Sequence, residues 1–338
     1  MMKMARLSNK TSQRLDEVAV TPFSETHLPD AWLLWKKQYE EELSASHALP
    51  DGWNKNREEI QSFLRKRMNS GYSMVASNGN DIIGYMLFDI FPFHGETTAF
   101  CPIIGHAALR QYRRQIFEEL YQSLSKALVT KGIMNHIVTY FAHDEGLEES
   151  VFELGFGLIV VDAFCGLNRI ISGNSGIDIV QADSGHVEVI ERLGEESRGF
   201  YLEPPLFLTR EKRSHEHYDK LFGKDSAIFL AFKDGEPIGI MQIRKNKELD
   251  AITLCDMNTG LIDQMGAYIK PKHRRRGIGT ALLLRCVQWC QNRGIPRIHA
   301  DFESANLSGR SFWLKHFTAA MHSARRTIYP DALRTQKK

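Results

Sequence analysis

Two stretches of the chain carry apolar residues at helical spacing. Ile116, Leu120, Leu124 and Leu128 form one stripe and stop before Gly132. Ile278, Leu282, Cys286, Trp289 and Cys290 form the other and stop before Gly294. Spacings of three and four put such residues on one helix face, and glycine suits the left-handed residue that closes a helix. Ahead of each stripe, apolar runs flank a tight-turn signal. Tyr72 to Ser77, then Asn78-Gly79-Asn80, then Ile82 to Phe88 reads as a hairpin, as does Ala227 to Phe232, Asp234-Gly235, Ile238 to Ile243. Asn-Gly and Asp-Gly supply the positive φ that a two-residue hairpin needs. Behind each stripe the pattern predicts a strand, His136 to Phe141 and Arg297 to Phe302. A short helix then ends in an apolar pair, Phe152 with Phe156 and Trp313 with Phe317. Ala76, Gly84 and Met86 match Ala231, Gly239 and Met241 at one offset. Five elements in the same order imply a duplicated α/β unit, a mixed sheet flanked by helices.

The 338 residues also suggest two domains at roughly 150 each. Ser172-Gly173-Asn174-Ser175-Gly176 has a linker composition, so we expect a loose tail over 1–18 and domains over 19–171 and 178–330. A net charge of +2 removes the overall footprint of a nucleic-acid binder. No run approaches the roughly 18 apolar residues of a membrane span, and residues 1–18 lack the apolar centre of a secretory signal. Five cysteines without a C-x-x-C pair point to a reduced, cytoplasmic setting, with Cys286 and Cys290 as core residues. His215-Glu216-His217 invites a metal reading, but histidines two apart on a helix point different ways, so no metal site is expected. His143-Asp144-Glu145 reads as a loop.

The most informative run is Tyr268-Ile269-Lys270-Pro271-Lys272-His273-Arg274-Arg275-Arg276-Gly277-Ile278-Gly279-Thr280. Pro271 ends a strand because it cannot donate to a ladder. Gly277 and Gly279 let the backbone turn with no side chains in the way. The first helical turn then offers amides that lack intrahelical partners. Those donors, the helix dipole and the arginine forks suit a pyrophosphate. The run has neither the G-K-[ST] of a P-loop nor a full G-x-G-x-x-G. A basic localisation or nucleic-acid patch, or a solvated basic helix start, are the competing readings.

Arg274-x-x-Gly277-x-Gly279 opening a helix after a strand resembles the acetyl-CoA pyrophosphate loop of the GNAT N-acetyltransferase superfamily. Asp301 to Asn306, followed by Ser311 to Phe317, resembles that family's next motif. The resemblance covers about 178–328 through motifs and about 19–170 only through the repeated layout, so the chain looks like a tandem GNAT protein. It implies an acetyl-CoA-dependent N-acetyltransferase acting on a primary amine of a small molecule or peptide; the alternative is a non-catalytic acetyl-CoA-binding or regulatory module. It places Ala267, Tyr268, Ile269, Arg274, Arg275, Arg276, Gly277, Ile278, Gly279, Thr280 and Asn306 on the cofactor, with a backbone amide of a fourth strand, about Asp263 to Lys270, as oxyanion donor. The first copy reads Tyr112-Arg113-Arg114-Gln115-Ile116-Phe117-Glu118 at the same place, with no glycines and with acidic residues at the helix start. One acetyl-CoA site, in the second half, is therefore expected.

A general base must lie within reach of the amine. Asp263 shares an alternating face with Ala267 and Ile269, and His299, Asp301 and Glu303 share one on the next strand. Glu303 and Asp301 are the favoured bases, with Asp263 as a further candidate; an ion-paired or solvated strand face is the plain alternative. Many members of the family carry a tyrosine four residues before a G-F pair. This chain has Phe312 and Trp313 there, with His316 in place of the glycine, so no general acid is evident. Residues 195–222, including Arg198, Phe200, Tyr201 and Glu203, are expected to line the acceptor side.

Overall fold

A computed structural model describes residues 15, 17–46, 48–167, 176–214, 221–263 and 266–329. The chain forms two compact units. The first comprises 1–42, 52–157 and 324–338, and the second 43–51 and 158–323. The His215–His217 run lies outside the described residues, and among those described no group of three or more His, Cys, Asp or Glu could hold a metal.

The first unit runs β1 (Ala19–Pro22), α1 (Leu28–Ala45), α2 (Arg57–Met68), β2 (Ser73–Asn78), β3 (Asp81–Leu87), β4 (Asp89–Phe93), β5 (Glu96–Cys101), β6 (His106–Ala108), α3 (Arg113–Thr130), β7 (Asn135–Phe141) and α4 (Glu145–Glu153). Strands β1, β2, β3 and β6 form one sheet in that order, and β5 joins antiparallel β4 to parallel β7. The α3 stripe is buried, with Ile116, Leu124 and Leu128 wholly inaccessible. Gly79 and Gly132 take φ of 58° and 79°, as the turn and the helix end require. His143-Asp144-Glu145 is more than a loop: the Asp144 side chain caps α4 by accepting from the Leu147 amide at 3.1 Å. Phe152 is 76% exposed, so its partner Phe156 alone enters the core.

Gly84 on β3 lies under α3. A Cβ there would meet Ile116 Cγ2 at 2.4 Å and Ala108 Cβ at 3.1 Å. We predict that Gly84→Ala overpacks this contact and destabilises the chain by about 1–3 kcal/mol. An unchanged midpoint in a denaturant melt would refute that.

The second unit runs β8 (Gly157–Gly166), β9 (Asp178–Gln181), α5 (Val187–Leu202), β10 (Ser226–Lys233), β11 (Glu236–Lys245), β12 (Thr259–Ile262), β13 (Ala267–Ile269), α6 (Ile278–Gln291), β14 (Arg297–Glu303), α7 (Leu307–His316) and β15 (Thr318–Thr327), of which Thr318–Ser323 belong here. Its sheet has the order β9-β10-β11-β12-β14-β8, with β13 also on β11. β12 and β14 pair in parallel. The α6 stripe, Cys286 and Cys290 included, packs with Ile298, Ala300 and Phe302 of β14. On the other sheet face Ile190 and Leu193 of α5 meet Ile228, Ile240 and Tyr268. The two units thus share the order hairpin, further strands, long helix, strand, short helix, with three strands (β4–β6) after the hairpin in the first and two (β12, β13) in the second.

No helix among the described residues is long and apolar enough to cross a membrane.

Candidate active site

Of the expected fourth strand, about Asp263 to Lys270, Ala267–Ile269 forms β13, and β12 ends before it at Ile262. β12 pairs with β14 as far as Ile262↔Ala300. Between the pairs Arg244↔Leu261 and Met241↔Ala267 the chain of β12 and β13 carries three more residues than β11 does. Gly266, at φ 60°, closes the resulting turn, with its amide on the Asp263 carbonyl at 2.7 Å. β13 then stays with β11 and leaves Asp301 to Glu303 without a strand neighbour on that side. Among the described residues β13 and β14 do not pair, so the sheet splits between them into a cleft.

This turn also corrects the strand alternation. Asp263 does not share a face with Ala267 and Ile269, because the extra residues reset the two-residue period. Ile269 packs toward α6, whereas Asp263 follows the core residue Ile262 and lies with Asp301 on the α5 side. The backbone of β13 is well placed nonetheless. Lys270 donates to Ile238 O and Gln242 to Gly266 O, both at 3.0 Å. In an antiparallel ladder these bonds alternate, so the Ala267 and Ile269 amides point away from β11 and into the cleft.

The basic loop follows. Pro271–His273 make a single 3-10 turn, Arg275 takes φ 60°, and Gly277 takes φ 78° at the start of α6. Gly277 contributes no side-chain cap, so the amides of Ile278, Gly279 and Thr280 lack intrahelical partners and the positive end of the helix is open to an anion. Arg275 and Arg276 are exposed beside it. Arg274 differs. Its Nε donates to Ile269 O at 2.9 Å and its guanidinium lies 4.2 Å above the Phe200 ring, so it ties the loop to the strand and to α5. Gly279 is required by packing, since a Cβ would come within 2.9 Å of Phe312 Cε2. Thr280 Oγ1 lies 3.2 Å from His316 Nε2. The Asn306 carboxamide oxygen caps α7, accepting from Gly309 N at 3.0 Å and from Ser308 Oγ at 3.2 Å.

The three carboxylates of the α5 side have different surroundings. Glu303 is paired with Arg210 at 2.6 Å, and that guanidinium also lies 3.5 Å over the Tyr201 ring. Asp263 receives Arg244 Nε at 2.9 and 3.0 Å. Asp301 has no such partner among the described residues. Its carboxyl is pushed up to about 6, first by the dense protein around it, then by the charge of Asp162; Glu303 and Asp263 add to this and His299 opposes it. The side chain still opens to solvent on one side and is exposed, so water reaching that mouth limits the first of these causes. The Tyr201 phenol is pushed up to about 12 by burial and then by Glu303, and it stays protonated at neutral pH. Arg210, Arg244 and Asp162 had no local sequence signal: their partners lie 93, 19 and 137 residues away.

The equivalent cleft of the first unit is closed by its own side chains. β5 pairs with β7 as far as Cys101↔Val138, but His106 on β6 then donates its Nε2 proton to Thr139 O of β7 at 2.8 Å. Burial pulls that imidazole down to about 4, so it is neutral. Gln38 Oε1 accepts the Ala108 amide at 3.4 Å, and Arg113 at the helix start is paired with Glu41 at 2.8 Å and Asp144 at 2.6 Å.

Residues 190–317 match the model of the acetyltransferase (GNAT) family. No curated protein matches the sequence. Among solved structures, a GCN5-related N-acetyltransferase from Sphaerobacter thermophilus is 12% identical with a TM-score of 0.56, covering 94% of this chain and 97% of that one. A GCN5-related glucosamine N-acetyltransferase region of a fungal multi-domain GH3 beta-N-acetylglucosaminidase is 11% identical with a TM-score of 0.53, covering 93% of this chain and 38% of that one. The fold is that of these GNAT acetyltransferases, and residues 190–317 are the part that matches the family model.

Proposed function

With the family match at 190–317 as the premise, we propose that this chain is an acetyl-CoA-dependent N-acetyltransferase with one cofactor site, in the second unit, acting on a primary amine of a small molecule or peptide. The observation that carries the reading is the open cleft between β13 and β14, with inward amides at Ala267 and Ile269 and an uncapped helix start at Gly277. Arg275, Arg276 and the Ile278 to Thr280 amides would hold the pyrophosphate. The β13 amides would stabilise charge on the thioester oxygen, an effect worth about 3 kcal/mol for a preorganised donor. Asp301 takes the proton of the acceptor amine. The amine nitrogen bonds to the acetyl carbon, the C–S bond breaks, and the thiolate takes a proton from water, since Phe312 has none to give. Tyr201, Arg210 and Glu303 border the acceptor side.

Two assays test this. Amines are screened for acceptor-dependent thiol release from acetyl-CoA. Calorimetric titration with acetyl-CoA should give one site per chain, because His106, Gln38 and Arg113 fill the first unit's cleft; two sites would refute the single-site reading. Phe312 in place of the family's tyrosine favours the second reading, a regulatory module. Cofactor binding with no thiol release from any amine would support that module instead.

A further inference from the structure

The β8–β14 ladder sets Asp162 directly opposite Asp301. Opposed residues of an antiparallel pair share a face, with Cβ atoms about 4.5–5.5 Å apart. Two like charges there repel, yet Asp162 is buried at 8% exposure. His299, two residues before Asp301 on the same face, makes this tolerable: its Nε2 lies 3.0 Å from Asp162 Oδ1. Burial alone would pull the His299 imidazole down, but Cys255 and the hydrogen-bonded Asp162 outweigh it and hold it well above its ordinary value. A carboxylate oxygen can only accept, so the Nε2 proton donates to Asp162 and fixes it. Strand β8 precedes residues 172–176 in the chain, yet Asp162 belongs to the second unit, so the site of that unit is completed by a residue from the first half of the sequence.

We propose that Asp162 is a positioning residue for acetyl transfer: clamped by His299, its fixed negative charge stands against Asp301 and keeps that carboxylate a strong enough acceptor for the amine proton. This rests on the acetyltransferase reading above. The groups that face Asp301 are Asp162 from β8, His299 and Glu303 from β14, and Asp263 from the end of β12. Arg210 and Arg244 are taken up by Glu303 and Asp263, and Tyr201 remains a neutral phenol. His299 acts against Asp162 on Asp301, and more weakly. Asp162 is thus the strongest single charge raising the basicity of Asp301.

The experiment is a carboxyl-carbon NMR titration of the full chain labelled at aspartate. The Asp301 signal is identified by its loss in Asp301→Asn. In Asp162→Asn its midpoint should fall by about one unit, as expected for removal of an adjacent like charge; Asp162→Ser serves if the first variant does not fold. Val161→Ala, a buried neighbour on β8, should lose stability and leave the midpoint in place. An unchanged or raised midpoint in the Asp162 variants, or an equal fall in Val161→Ala, overturns the proposal. The titration needs no acceptor. A fallen midpoint beside a wild-type chain that releases no thiol with any amine therefore overturns the transfer reading and not the electrostatic coupling. Where transfer is measured, the acid limb of kcat/KM in Asp162→Asn should move down with the midpoint.

Discussion

Replacing Asp301 by Asn should lower kcat/KM for acetyl transfer by about 10²- to 10⁴-fold at neutral pH, the usual contribution of a positioned base. The reason lies in the three carboxylates of the α5 side. Glu303 and Asp263 each hold an arginine, so protonating either would break an ion pair before it helped the amine. Asp301 faces the cleft without such a partner among the described residues, and burial and then the charge of Asp162 push it up to about 6. A base works in its ionised form. Activity should therefore be full above that value and fall as pH drops through about 6, and Asp301→Asn should abolish this acid limb. A variant that keeps both rate and limb would remove Asp301 from the mechanism.

Reversing the charge at Arg275 and Arg276 together, to Glu, should weaken acetyl-CoA binding by about 10²-fold or more. Each charge-assisted hydrogen bond to a phosphate contributes about 1.5–3 kcal/mol, and two acids at an open helix start repel the same anion. Both side chains are exposed, so folding stability should change by only about 0.5 kcal/mol. Calorimetry against acetyl-CoA, with a thermal melt as control, checks both halves; retained affinity would place the phosphates elsewhere. Arg274 is a different case. It bridges Ile269 O and Phe200, and truncating it would loosen the loop from β13.

The parts of this picture that were legible in the sequence are those set by neighbours along the chain. Helical stripes, Asn-Gly and Asp-Gly turns and a glycine-rich helix start depend on φ, ψ and side-chain direction within a few residues. The missing glycines at Gln115 to Glu118 belong to the same class. The expectation that Asp263 continues an alternation into Ala267 failed for a reason of the same kind. An inserted turn resets a period of two, and only the pairing with β11 shows where the turn falls.

The sequence by itself determined a duplicated α/β unit and one glycine-flanked, arginine-rich helix start, because those follow from local periodicity and backbone freedom. The tertiary structure alone decided which charged groups meet. It turned Arg274 inward, matched Glu303 with Arg210 and Asp263 with Arg244, and filled the first unit's cleft with Gln38 and His106. It also set Asp162 across from Asp301, with His299 between charge and repulsion. The physical reason is that strand order in a sheet is fixed by the burial of both faces of the whole sheet, and chain separation enters only as a slowly growing entropy of closure. A charge on one strand therefore acquires partners that no window along the chain contains.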